Sequence, residues 1–395
     1  MAAESLDLFA VDELLTDEER MVRDTVRDWV RERVMPHIEA WAWEGHFPRE
    51  LVPEMARLNL FGATLKEYGL PGLSHVAYGL VMQELERGDS GLRSFVSVQS
   101  ALVMHPIATW GSQAQKDRWL PLLAQGRAVG CFGLTEPDFG SNPGAMRTRA
   151  RRDGDVWVLA GEKAWITNGS IADVAVVWAK DDGGVVRGFL VERGAPGFTT
   201  ADHNGKYSLR ASVTSQLVLA DCRVAEASRL PDAAGLKCPL GCLTQARYGI
   251  AWGALGSALA TFHAALEYAK ARVQFGGRPI AAHQIIQERL VWMANEITKA
   301  QLMVWRLGRL KDAGNATFVR VSQAKRNSCW VARECARLAR EIHGANGVVN
   351  EFPVMRHLMN IESVYTYEGT HDMHTLILGE HLTGIPAFMP PPAGS

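Results

Sequence analysis

Cysteine is scarce in this chain, and the six that occur (Cys131, Cys222, Cys238, Cys242, Cys329 and Cys335) form no C-x-x-C pair and no finger-like Cys/His spacing. A disulfide-stapled scaffold and a structural zinc module are thereby excluded, and reduced thiols point to a cytosol-like compartment: cytoplasm, or the mitochondrial matrix for a processed chain. A surplus of either charge is missing too. Lys and Arg number 42 against 43 Asp and Glu, a formal net charge of -1 scattered along the sequence, so the electrostatic footprint of a nucleic-acid binder is absent. The opening MAAESLDLFAVDELL lacks the basic start and apolar core of a targeting peptide. No GxGxxG, GxxxxGK[ST], HExxH or GxSxG occurs, which removes the usual support for dinucleotide, P-loop, zincin and nucleophile-elbow chemistry. Residues 248–266 carry no Asp, Glu, Lys or Arg and are long enough to span a bilayer, but their Gly, Ala, Thr and His content predicts a helix buried in protein, without stable membrane insertion.

What is present is an ordinary globular mix, 47% hydrophobic and 22% charged, over 395 residues, enough for two or three regions around a large core. Thr16 and Glu19 have the spacing of a capping box, and Val22, Val26, Trp29, Val30 and Val34 keep one helical face apolar until Met35-Pro36. A helix is predicted over about 76–87, and a further helical stretch runs to a break at His105-Pro106. From about Cys131 the texture changes to β-rich runs at 156–160, 173–179, 185–191 and 214–220, with hairpin turns at Asp153-Gly154 and Asp182-Gly183-Gly184. Helical periodicity returns over about 242–273, 282–312 and 317–343, and a last helix follows Thr370. The expected class is α+β, with an all-α region over 1–130, a β region over 131–238 and an α region over 239–395; strands grouped in one block are not the alternation of a Rossmann domain.

Three places carry chemistry. FGLTEPDFGS (132–141) is a Gly- and Pro-held turn whose Thr135 and Ser141 hydroxyls and backbone N–H groups suit a polar ring edge or a phosphate; the bland alternative is an interdomain loop. Trp165-Ile166-Thr167-Asn168 sets an indole and a hydroxyl at the end of a β run, where a core tryptophan is the competing reading. Tyr367-Glu368-Gly369-Thr370 places a carboxylate among apolar residues, where desolvation raises its pKa toward that of a general base. His371 and His374 stand three apart, yet no further ligand is spaced to complete a metal site, so no metal is expected.

Taken together and in this order, these segments resemble the acyl-CoA dehydrogenase family, over about residues 17–388. The resemblance implies a middle β-barrel-like domain, a C-terminal four-helix bundle and FAD as cofactor. It assigns flavin contacts to Phe132, Leu134, Thr135, Ser141, Trp165, Ile166 and Thr167, and further FAD contacts to Arg272, Gln284, Glu341, Gly344, Ala345, Thr370, His371 and Asp372. Several of these reach a neighbouring subunit's FAD in family members, which implies a homo-oligomer of tetramer type. Glu368 becomes the base that takes the α-proton of an acyl-CoA substrate, with Ser141, Arg247 and Gly369 beside the substrate. Within the family the glutaryl-CoA dehydrogenase branch is most similar, through segments 84–107, 205–212, 241–253 and 364–379. Arg93 and Ser94 match the place where that branch meets a distal carboxylate, and Glu86 and Tyr367 match its neighbours; the alternative for Arg93 is a surface salt bridge. The resemblance further implies oxidative decarboxylation of glutaryl-CoA in lysine and tryptophan degradation, with electrons passed to electron-transfer flavoprotein. A short-chain acyl-CoA dehydrogenase or an acyl-CoA oxidase of the same fold is the alternative.

Overall fold

The computed structural model describes residues 7–387, so the Pro-rich tail at 389–395 lies outside the described residues. The N-terminal region holds α1 (Asp17–Trp29), α2 (Ile38–Glu44), α3 (Val52–Arg57), α4 (His75–Gly88), α5 (Ser90–Ser97), α6 (His105–Trp110) and α7 (Gln113–Ala124). The start of α1 follows from its sequence: Thr16 Oγ1 accepts from Glu19 N at 3.3 Å, and Glu19 Oε2 accepts from Thr16 N at 2.9 Å. The expected break at His105-Pro106 does not occur. A π-helical stretch over Val98–Met104 joins α5 to α6, and Pro106 falls in the first turn of α6, where a missing N–H is tolerated.

The middle region is a mixed seven-stranded sheet of β1 (Gly130–Gly133), β2 (Arg149–Asp153), β3 (Val156–Thr167), β4 (Val174–Asp181), β5 (Val186–Glu192), β6 (Phe198–Asp202) and β7 (Thr214–Ala225). Its order is β1-β4-β2-β3-β7-β6, with β5 paired to β4. Both expected hairpins form, β2 with β3 and β4 with β5. The sequence of β4 is apolar throughout because both faces are covered: Val174, Val176 and Trp178 join the helical core, while Ala175, Val177 and Ala179 join a second core within the sheet. Strands β1, β2 and β6 were not anticipated; β2 (RARRD) buries one residue of five and so has no apolar alternation to read.

The C-terminal region comprises α8 (Lys237–Ala271), a ribbon of β8 (Val273–Gln274) and β9 (Arg278–Pro279), α9 (Gln284–Asp312), α10 (Phe318–His343), α11 (Val354–Thr366) and α12 (His371–Thr383). Helices α8 to α11 pack as a bundle, and α12 lies on α10. The charge-free stretch falls in α8, which is long and apolar enough to cross a membrane but has 78% of that window buried, between α4 and α10. Helix α11 escaped the sequence reading because its buried face mixes Val354, Ile361 and Val364 with Arg356, His357 and Asn360. These polar residues have partners: Arg356 Nη1 and Asn360 Nδ2 each donate to Asp89 Oδ2 at 2.8 Å, at the corner between α4 and α5. That node fixes α5 against the segment leading to Glu368.

Candidate active site

Glu368 lies in the link between α11 and α12 with φ 52, a left-handed conformation rare for a residue with a Cβ, followed by Gly369 at φ 93. Its carbonyl accepts from Arg247 Nε at 2.6 Å, while the flanking carbonyls of Tyr367 and Gly369 accept from Lys325 Nζ at 3.1 and 2.8 Å. The residue is only partly buried as a whole, yet its Oε2 is sealed from solvent and has no hydrogen-bond partner. Burial pushes the carboxyl up to about 7, against the pull of Arg93, Arg247 and Lys325. A carboxylate poised near neutrality, with one oxygen sealed from solvent, is suited to accept a proton. Among the described residues nothing bonds the backbone N–H of Glu368, which leaves a donor beside the base.

Arg93 is 1% exposed, which overturns the surface-salt-bridge alternative. Its Nε donates to Glu86 Oε2 at 2.6 Å, its Nη2 donates to the Tyr367 hydroxyl, and Ser94 Oγ lies 3.2 Å from that same hydroxyl. Burial pulls against the guanidinium charge, but Glu86 and Tyr367 outweigh it and keep the group protonated. Nη1 has no hydrogen-bond partner among the described residues. The cluster therefore joins Glu86, Arg93, Ser94 and Tyr367 to the base by direct sequence adjacency, and it retains one donor to offer.

The aromatic wall arises from a bulge. Between Lys163 and Ile166 the register of β3 against β7 shifts, and Trp165 adopts φ 62, so its indole is turned out of the sheet and is 64% exposed. His203 stacks on it at 4.7 Å and 23°. A buried ion pair ties this wall to the 132–141 loop: Lys163 Nζ lies 2.8 Å from Glu136 Oε1 and 3.2 Å from the Leu134 carbonyl, and Ala164 N donates to the Thr135 carbonyl at 2.9 Å. Thr135 and Thr167 are part-buried, and Ser141 is exposed. Phe132, Leu134 and Ile166 belong to these two segments with their side chains turned into the protein. All three are buried in the cores, Phe132 against Trp178, which leaves their backbone as the part able to serve a ligand at the surface of the segment.

Other expected contacts lie elsewhere. Arg247 is near the start of α8 and Arg272 just past its end, a helical separation of roughly 35 Å. Gln284 starts α9, and Glu341, Gly344 and Ala345 end α10, the two ends being joined by Arg289 and Glu341 at 3.2 Å. Arg272, Gln284, Gly344 and Ala345 are exposed on this chain. Tyr268 near the end of α8 stacks on His343 at the end of α10 at 4.3 Å, so these five gather at the end of the bundle where Arg272 lies. Thr370 uses its hydroxyl to cap α12, accepting from Met373 N at 3.1 Å; His371 stacks on Tyr365 at 4.5 Å, and Asp372 is exposed. His374 is fully buried against Gly369 and, for that reason first and by Lys325 and Arg247 second, its imidazole is pushed down to about 2 and stays neutral. Among the described residues no group of three metal-ligating side chains forms. Lys325 went unread in the sequence; the signal was a lysine in register with Val321, Cys329 and Ala332 on the buried face of α10.

An α-β-α chain with a desolvated carboxylate and an exposed aromatic wall has the parts of a flavoprotein oxidoreductase acting on a weak carbon acid. The comparisons narrow the class. Models of the acyl-CoA dehydrogenase N-terminal, middle and C-terminal domains match residues 16–127, 131–222 and 233–383, and the chain belongs to the acyl-CoA dehydrogenase family. It is similar to the short-chain specific acyl-CoA dehydrogenase of Homo sapiens mitochondria, 35% identical over 93% of this chain and 90% of that protein. Among solved structures it is similar to a glutaryl-CoA dehydrogenase from Mycobacterium smegmatis, 53% identical with TM-score 0.95 over 97% of this chain and 99% of the other. A second glutaryl-CoA dehydrogenase from that organism, solved with FADH2, is 48% identical with TM-score 0.96 over the same shares. FAD is the family's cofactor. This chain fits it: the bulged Trp165 offers a flat aromatic face, and Glu136 and Lys163 brace the two segments on either side of it.

Proposed function

We propose that this chain catalyses FAD-dependent α,β-dehydrogenation of an acyl-CoA thioester, with glutaryl-CoA as the substrate and crotonyl-CoA and CO2 as products. Bound FAD supplies the oxidant that takes the β-hydrogen as hydride. Trp165, Thr167 and the backbone of 132–141 would hold its ring, and Thr370 to Asp372 would flank it. Arg272, Gln284, Glu341, Gly344 and Ala345 would serve the FAD of a neighbouring copy, which makes a homo-oligomer of tetramer type part of the proposal.

Glu368 accepts the α-proton. The free N–H of the same residue is placed to donate to the thioester oxygen as enolate charge develops, so one strained turn supplies both base and oxyanion donor. Ser141, Arg247 and Gly369 flank the thioester end. At the other end the distal carboxylate meets Arg93 Nη1, with Glu86, Ser94 and Tyr367 holding the guanidinium in position. Oxidation puts the carboxylate where its loss as CO2 leaves a dienolate, which is reprotonated to crotonyl-CoA. Electron-transfer flavoprotein is the proposed acceptor.

The single observation that carries the dicarboxylate reading is a buried, charged Arg93 with a donor to spare. One observation favours the alternative, a short-chain dehydrogenase or oxidase without decarboxylation: Glu86 already neutralises Arg93, so a neutral acyl chain leaves no uncompensated charge. The deciding experiment compares kcat/KM for glutaryl-CoA and butyryl-CoA in the wild type and in Arg93→Met, with CO2 release. A charge-assisted contact of about 1.5–3 kcal/mol gives the wild type roughly a 10- to 100-fold preference for glutaryl-CoA that the variant loses. An unchanged substrate ratio removes Arg93 from recognition, and peroxide formed in air without another acceptor identifies an oxidase.

A further inference from the structure

Lys325 sits in the first third of α10, fully buried, with no carboxylate within ion-pair distance among the described residues. Its ammonium is satisfied by carbonyls alone, those of Tyr365 at 3.4 Å, Tyr367 at 3.1 Å and Gly369 at 2.8 Å. All three belong to one five-residue stretch, and they lie on both sides of Glu368. A buried unpaired charge is costly, and a neutral residue of the same shape avoids that cost, so a purely structural explanation for lysine here is weak.

We propose that Lys325 is a positioning residue for the base: its three bonds lock the 365–369 turn with Glu368 in the left-handed conformation, and its charge adds to that of Arg93 and Arg247 in favouring the ionised carboxylate. The inference rests on Glu368 being the base. The groups that face Glu368 are Tyr78 from α4, Arg93 from α5, Arg247 from α8, Lys325 and Cys329 from α10, His374 from α12 and Tyr367 beside it. Burial holds Tyr78, Tyr367 and Cys329 protonated and His374 neutral. The charged neighbours are therefore three cations. Arg93 is already paired with Glu86, whereas Arg247 and Lys325 both meet carbonyls of the turn; Arg247 bonds that of Glu368 alone, and Lys325 holds three carbonyls on both sides of it, which makes Lys325 the cation that spans the turn.

The test uses the flavin-loaded full chain in four forms: wild type, Lys325→Met, Lys325→Gln and Lys325→Arg. Infrared difference spectroscopy of the protonated-carboxyl band, with Glu368→Gln as the blank, titrates Glu368 without turnover. Flavin bleaching by butyryl-CoA gives the pH profile of the reaction. Removing the charge should move both the infrared midpoint and the acid limb of the rate upward by about one pH unit. The Met variant should also lose roughly tenfold or more on the alkaline plateau through a loosened turn, and the Arg variant should restore the limb. An unmoved infrared midpoint in a folded Met or Gln variant overturns the proposal, as does failure of all three variants to yield flavin-loaded protein, which assigns Lys325 to folding. Normal bleaching by Glu368→Gln would instead sink the base assignment, and the infrared titration still judges Lys325 separately.

Discussion

Gly253 of α8 lies directly against Arg93: a Cβ built on it stands 3.0 Å from Arg93 Nε and overlaps Glu86 Oε2. The missing side chain is the space in which the Glu86–Arg93 pair fits. Gly253→Ala should therefore lower kcat/KM for glutaryl-CoA about tenfold or more and that for butyryl-CoA less, with an overpacking cost of about 1–3 kcal/mol in stability. Gly241→Ala is the control on the same helix, because its Cβ would meet only Trp110, at 3.7 Å, and no recognition side chain. Kinetics and melting curves on both variants check this: a substrate ratio that shifts equally in the two would disconnect the glycine from recognition.

The Lys163–Glu136 pair should control cofactor retention. Besides Lys163, Glu136 accepts from Arg147 N, Thr148 N and Thr148 Oγ1, so losing the lysine strands a carboxylate that three donors only partly satisfy. Lys163→Met should cost about 3–5 kcal/mol and raise the FAD Kd, read as flavin lost on gel filtration. Adding Glu136→Gln removes the stranded charge and should recover part of both losses. A double variant no better than the single one would show that the ion pair contributes only packing.

Much of this architecture is legible in the sequence where one local rule dominates. The capping box at Thr16 and Glu19 sets the start of α1, the apolar run of β4 reports a strand covered on both faces, and the lack of charge over 248–266 reports a helix enclosed by protein. The glycines of that helix are legible only in three dimensions, since Gly253 matters because of side chains that the fold brings from α4 and α5. Helix α11 is hidden by Arg356, His357 and Asn360, whose burial is permitted by partners distant in sequence. At the site, motif position identifies Glu368, Trp165 and Arg93 but does not say which side chains of a motif point inward, hence Phe132, Leu134 and Ile166. For Lys325 the helical register marks a lysine on the buried face of α10, but not its role, since its acceptors are backbone carbonyls, which every residue has.

The last prediction couples turnover to stability through one proton. Burial lifts the Glu368 carboxyl from the ordinary 4.5 to about 7, so the reaction should speed up as pH rises through about 7 and the base ionises. The folded state holds this proton more tightly than the unfolded chain does, and the stability it contributes is complete below about 4.5 and is lost as pH rises toward 7. Glutamine at this position copies the shape of the protonated acid and never ionises. Glu368→Gln should thus lose about 10³-fold in flavin reduction by substrate while becoming more stable than the wild type by roughly 3 kcal/mol at alkaline pH, an advantage that vanishes near pH 4. Denaturant unfolding of both proteins at about pH 4.5 and pH 8.5, beside stopped-flow bleaching of the flavin, checks the two halves together. Parallel stability curves would mean that the carboxyl titrates like an exposed one, and near-normal bleaching in the variant would mean that another group takes the proton.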